Sequence, residues 1–117
     1  MIYSLKNKQL IGFDNFEQVD FRVGTVVEVD TFPKAKKPAY QLTIDFGPLG
    51  VLKSSSQITT SYSIPEMIGR QVVAVVNFPI KKIADFNSQC LVLGATQGND
   101  VFLLSPQSDV ENGQIVR

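Results

Sequence analysis

The 117-residue chain contains no histidine. Its absence removes the commonest general base, every Ser-His or Cys-His nucleophile pair and the commonest transition-metal ligand. A catalytic reading would have to rest on carboxylates, lysines and tyrosines, and none of these forms a recognisable catalytic spacing. No enzyme activity, metal or cofactor is expected. Cysteine is almost as scarce. Cys90 stands alone, so no internal disulfide can form, and its neighbours Leu91, Val92 and Leu93 mark a buried strand position where the thiol serves as a small hydrophobe. No apolar run approaches the roughly 20 residues of a membrane span. The opening Met1-Ile2-Tyr3-Ser4-Leu5-Lys6 has neither the apolar run nor the cleavage site of a signal peptide. The expectation is a soluble, cytoplasmic protein without a membrane span. There are also no repeats, low-complexity segments or linkers, and the length suits one domain, 1–117, with an N-terminal arm over 1–15 and a C-terminal extension over 100–117.

Net charge is absent too, with 11 Lys and Arg against 11 Asp and Glu. The distribution is uneven. Lys34, Lys36 and Lys37 crowd one stretch and Lys81 and Lys82 another, while Asp14, Glu17, Asp20, Asp100, Asp109 and Glu111 sit elsewhere. A neutral molecule can thus carry a basic face whose local field steers an anion.

What is present is alternation. "RVGTVVEVDTF", 22–32, has the period of a half-buried strand, with Gly24 marking a bulge or sharp coil. "YQLTIDF", 40–46, alternates again, and "GPLG" turns it into "VLKSSS". "QVVAVVNFP", 71–79, is apolar on both faces, as a central or barrel strand is. "SQCLVLGA", 88–95, is a fifth strand, "TQGND" turns into a final "VFLLSP", and Asn112-Gly113 makes a tight turn. Asp14, three residues before Glu17, predicts a capped helical turn before the first strand. Ser55 or Ser56 is placed to cap a short helix from Gln57 to about Tyr62, which "SIPEMIG" then unwinds. Three strands, a helix, two strands and an appended hairpin describe an all-β, five-stranded Greek-key OB-fold barrel with a short helix between strands 3 and 4 and terminal extensions. An open antiparallel α+β sandwich is the competitor.

In the barrel, the proline-bounded "PKAKKPA", 33–39, joins strands 1 and 2, and "PIKKIADFN" joins strands 4 and 5. OB-folds bind oligonucleotides between those loops on the face of strands 2 and 3. "KSSSQ" therefore ends where an RNA backbone would pass. Lysines neutralise phosphate, while serine hydroxyls and the Gln57 amide bond phosphate or ribose. Each signal also has a plain structural reading: serines cap and turn, loop lysines are solvated, and aromatics fill cores. Phe32, Tyr40, Phe78, Ile80 and Phe86 border the same loops and, exposed together, would form a polypeptide-binding groove.

"NFPIKKIADFNSQCLVLGA", 77–95, with "KSSSQIT" and "DFRVGTVVEVDTFPKAKKPAYQLTIDFG", resembles the tRNA-binding domains of CsaA-type secretion chaperones, of some methionyl-tRNA synthetases and of tRNA-binding cofactor proteins. The resemblance runs from about Phe16 onward and is greatest to stand-alone CsaA. It implies an OB-fold, a homodimer built by the terminal segments, tRNA binding and, in the CsaA branch, binding of unfolded or precursor polypeptides for export. It also implies RNA contacts at Lys53, Ser55, Ser56, Gln57, Asn77, Lys81, Lys82 and Ser88, to which the loop lysines Lys34, Lys36 and Lys37 add. The chain departs from the family in having lysines where arginines are common, at 81 and 82, and Asp85 where glycine is common. Lysine keeps the charge without the bidentate fork. Asp85 tolerates a left-handed backbone and sets a negative charge beside the lysines.

The expected function is a non-enzymatic, homodimeric CsaA-like chaperone in protein secretion with a tRNA-binding face. The alternative is a dedicated tRNA-binding cofactor without client proteins. Ile2, Tyr3, Leu5, Leu10, Ile11 and Phe13 make an apolar arm that either folds on its own barrel or pairs with a second copy.

Overall fold

The computed structural model describes residues 8–117; Ile2, Tyr3 and Leu5 of the apolar arm lie outside them. A short helix, α1 (Phe13–Glu17), precedes β1 (Phe21–Thr31), β2 (Tyr40–Asp45), a 3₁₀ turn (Gly47–Leu49) and β3 (Val51–Ser56). Then come α2 (Ile64–Met67), β4 (Gln71–Val75), β5 (Lys81–Ile83), β6 (Phe86–Ser88), β7 (Leu91–Val92), β8 (Gly94–Gln97), β9 (Asp100–Leu103) and β10 (Ile115–Val116). The main sheet runs β3-β2-β1-β4-β7, all pairs antiparallel, with β10 also on β1. Two small hairpins, β5-β6 and β8-β9, complete the all-β, OB-fold-like architecture.

The two ends of the sheet, β3 and β7, meet without a regular ladder. One backbone bond and several side-chain bonds stitch them instead. Gln89 N–H donates to the Lys53 carbonyl at 2.7 Å, and the Lys53 N–H donates to Gln89 Oε1 at 2.9 Å. The Ser54 hydroxyl donates to the Cys90 carbonyl at 2.9 Å, and the Ser55 N–H donates to Ser88 Oγ at 3.0 Å. Ser54 is fully buried, which is tolerable because its hydroxyl is paired. Inside lie Val26, Val29, Leu42, Ile44, Phe46, Met67 and Val72, with Cys90 among them. Burial pushes the Cys90 thiol up to about 12, the Ser54 hydrogen bond opposing, so it stays protonated and inert as a nucleophile.

Four local expectations are corrected. The helix between strands 3 and 4 sits at Ile64–Met67, inside the segment expected to unwind, and 57–62 forms turns. Ser63 is its N-cap: Glu66 accepts from the Ser63 N–H and hydroxyl, both at 2.9 Å, and Pro65 occupies the first turn, where a missing N–H costs nothing. At α1 the N-cap is Gly12, whose N–H donates to Asn15 Oδ1, and Glu17 does not reach back to Asp14. The bulge of β1 falls between Val26 and Glu28 rather than at Gly24. Gly24 is needed for close approach instead, since a Cβ there would stand 2.7 Å from Ile44 and Phe46 side-chain atoms. The fifth strand breaks into β6, β7 and β8, because residues 89–90 turn aside to meet β3 and Leu93 bonds the Val73 carbonyl.

Candidate nucleic-acid interface

The loop before β2 and the β5-β6 hairpin form two walls of one cleft. Both are fixed from beneath by a satellite core of Phe32, Ala39 and Phe86, with the two rings 5.4 Å apart. Above them, Lys34 Nζ meets Asp85 Oδ2 at 2.8 Å across the gap. That hydrogen bond and the paired charge raise the Lys34 pKa and lower that of Asp85. Both groups are fully exposed, so the link is a surface tether. The hairpin turns at Ala84 and Asp85, and its left-handed residue is Ala84, at φ 53°, rather than Asp85.

The cleft has a volume of about 560 Å³ and gathers Lys34, Lys36, Lys37, Lys81 and Lys82 with Ser55 and Gln57. Stretches separated by more than forty positions thus share one surface, and none of its lining residues is acidic. Five ammonium groups around a concave surface, that of Lys34 offset by Asp85, create a focused positive field, suited to a polyanion. Lys81 stands directly opposite Ser88 in the hairpin, at the cleft's edge. A second cleft, of about 310 Å³, adjoins it and shares Ser55, Gln57, Lys81 and Ile83.

Not every expected residue arrives there. Lys53 is exposed on β3 beside the seam, and Ser56 faces inward with its hydroxyl 3.5 Å from Ser54 Oγ. Asn77 does not join the cluster. Its amide clasps the chain before β1, accepting from Asp20 N–H at 2.9 Å and donating to the Gln18 carbonyl at 2.8 Å, and it lines a different cavity. The five apolar residues do not form one exposed groove: Phe32 and Phe86 are buried, Tyr40 is half-buried with its hydroxyl on the Tyr62 carbonyl, and only Phe78 and Ile80 are exposed. Edges of Phe32 and Tyr40 do line a separate groove of about 370 Å³ with Pro33, Pro38 and Thr59. Sequence reasoning missed Gln89, the side chain that closes the seam under Lys53; its place beside the predicted strand carried no periodic signal.

Residues 21–115 match the family model described as a putative tRNA binding domain. The chain belongs to the tRNA-binding-domain family. The crystal structure of chaperone CsaA from Bacillus anthracis is similar at 44% identity with a TM-score of 0.89, covering 93% of this chain and 100% of that one. The CsaA chaperone protein of Picrophilus torridus is similar at 45% identity and a TM-score of 0.87, covering 92% and 100%. Within the family the chain is therefore of the CsaA type. Methionine–tRNA ligase of Pyrococcus furiosus is 36% identical over 110 residues, 93% of this chain. The chain spans only 15% of that ligase's length, so the match is to an appended domain and not to the catalytic body. The family is a binding family rather than a catalytic one.

Proposed function

We propose that the protein is a non-enzymatic tRNA binder that also serves as a CsaA-like chaperone for unfolded or precursor polypeptides in protein secretion, acting in the cytoplasm as a homodimer. One observation carries the RNA reading: two lysine loops, Ser55 and Gln57 share a single cleft without an acid in its lining. Lys34, Lys36, Lys37, Lys81 and Lys82 hold phosphates there, Lys53, Ser55, Gln57 and Ser88 contact the nucleotides that pass beside β3, Ser56 supports the surface from within, and Asn77, bonded to the chain before β1, stands outside the cleft. The polypeptide reading is supported by the exposed Phe78 and Ile80 and by the groove edged by Phe32 and Tyr40. Leu10, Ile11 and Phe13, all more than 70% exposed, support pairing of two copies.

Labelled tRNA titrated with the protein at several salt concentrations, with an unfolded polypeptide as competitor, tests the reading. Binding that falls steeply with salt supports the RNA face, because phosphate contacts release counterions. Suppression of client aggregation that persists in salt supports the chaperone role. Its absence leaves a dedicated tRNA-binding cofactor, and no tRNA binding at low salt overturns the RNA reading.

A further inference from the structure

The second cleft is built differently from the lysine cleft. Ile58, Ile83, Val92 and Leu103 give it apolar walls, whereas Gln57 and Ser88 present polar groups and Lys81 stands in the lining of both clefts. The Ser88 oxygen already accepts from the Ser55 N–H, which leaves its own proton to donate. Gln57 is exposed, so its amide is open to a ligand. At about 310 Å³ the space lies at the lower end of small-molecule sites, roughly 300–1,000 Å³, too small for a helix of either kind.

Resting on the RNA reading above, we infer that this cleft is a receptor for one unpaired nucleobase, swung out of its strand while the adjoining phosphate stays on Lys81. A base has two apolar faces and a polar edge, which the lining reproduces. An aliphatic peptide side chain would cover the hydroxyl and the amide without bonding either, a costly arrangement. No aromatic ring lines the cleft, so the base is held by aliphatic contact and edge hydrogen bonds rather than by stacking. The Gln57 amide, a neighbouring donor and acceptor, matches adenine. The site thus recognises single-stranded or looped nucleotides, adding base contact to a surface otherwise reading only charge.

The test compares a short oligoadenylate with an abasic ribose-phosphate chain of equal length and charge. Oligoadenylate should bind about 10-fold tighter or more, with the same salt slope. Gln57→Ala, on the surface, and Val92→Phe, which fills the cleft and is compared only if its melting matches wild type, should bring oligoadenylate to the abasic level. Equal affinity of the two chains for the wild type overturns the base receptor and leaves the lysine cleft standing. A preference that survives Gln57→Ala overturns the assignment to this cleft, and failure of both chains to bind overturns the RNA reading itself.

Discussion

The Ser54 hydroxyl donates to the Cys90 carbonyl across the barrel seam at 2.9 Å, with no solvent exposure at the serine. Ser54→Ala removes this donor and strands a buried carbonyl, at a cost of about 1–3 kcal/mol. The denaturant midpoint should fall with an unchanged slope. Ser55→Ala, whose hydroxyl takes no part in the seam, should change stability by less than about 0.5 kcal/mol. Equal losses in the two variants would mean that the seam is not closed by Ser54.

Charge reversal at Lys81 and Lys82, by substitution with Glu, should weaken tRNA binding and reduce the salt slope by about 1 for each lysine that touches a phosphate. Both side chains are exposed on a hairpin, so the melting profile should not move. Binding measured at three or more salt concentrations reads both effects.

Asp85→Asn should act in the opposite direction. It removes the partner that holds Lys34 and deletes a negative charge at the cleft mouth. Affinity for tRNA should rise several-fold at low salt, and the gain should disappear near 1 M, where charges are screened within about 3 Å. A loss of affinity would show that the tether to Lys34 is needed to shape the cleft.

Ala84 pays a steric penalty at φ 53° that glycine avoids. Ala84→Gly should stabilise the protein by about 0.5–1 kcal/mol, the relief of strain exceeding the added freedom of the unfolded chain. Thermal unfolding measures it directly.

Glu66 gives a pH dependence with a definite sign. The Ser63 N–H and hydroxyl bond its carboxylate and hold its pKa below the ordinary 4.5. Because the folded value is depressed, this contribution is fully present above 4.5 and is lost as pH falls through the folded value. The protection factors of the α2 amides, taken against the intrinsic exchange rate at each pH, should fall on acidification in that window. Glu66→Gln should remove this pH dependence while leaving protection at neutral pH little changed.

Much of this was legible in the sequence. Alternation in 22–32 and 40–46 gave β1 and β2 because one face of each is buried, and proline-bounded lysines gave the first wall of the cleft. The helix was misplaced because serines that look like caps belong to a strand, while Pro65, which reads as a breaker, sits in the first turn that tolerates it. Asn77 and Phe86 look like ligand contacts in the sequence because residue type alone does not say which way a side chain faces. One spends its amide on the chain before β1, and the other lies under the cleft that its neighbours line.

The pairing of β10 with β1 joins Phe21 to Val116 and Arg22 to Ile115, while Val23 bonds residues 113 and 114. During synthesis, β1 leaves the ribosome long before its partner at 115–116 has been translated. Until those residues arrive, Phe21–Val23 lack a partner on that side, whereas the border from Thr25 onward can be held by β2. Closure of the start of β1 therefore waits on a few late residues, and a chain truncated before them would present Phe21–Val23 as a short bare border to whatever lies nearby.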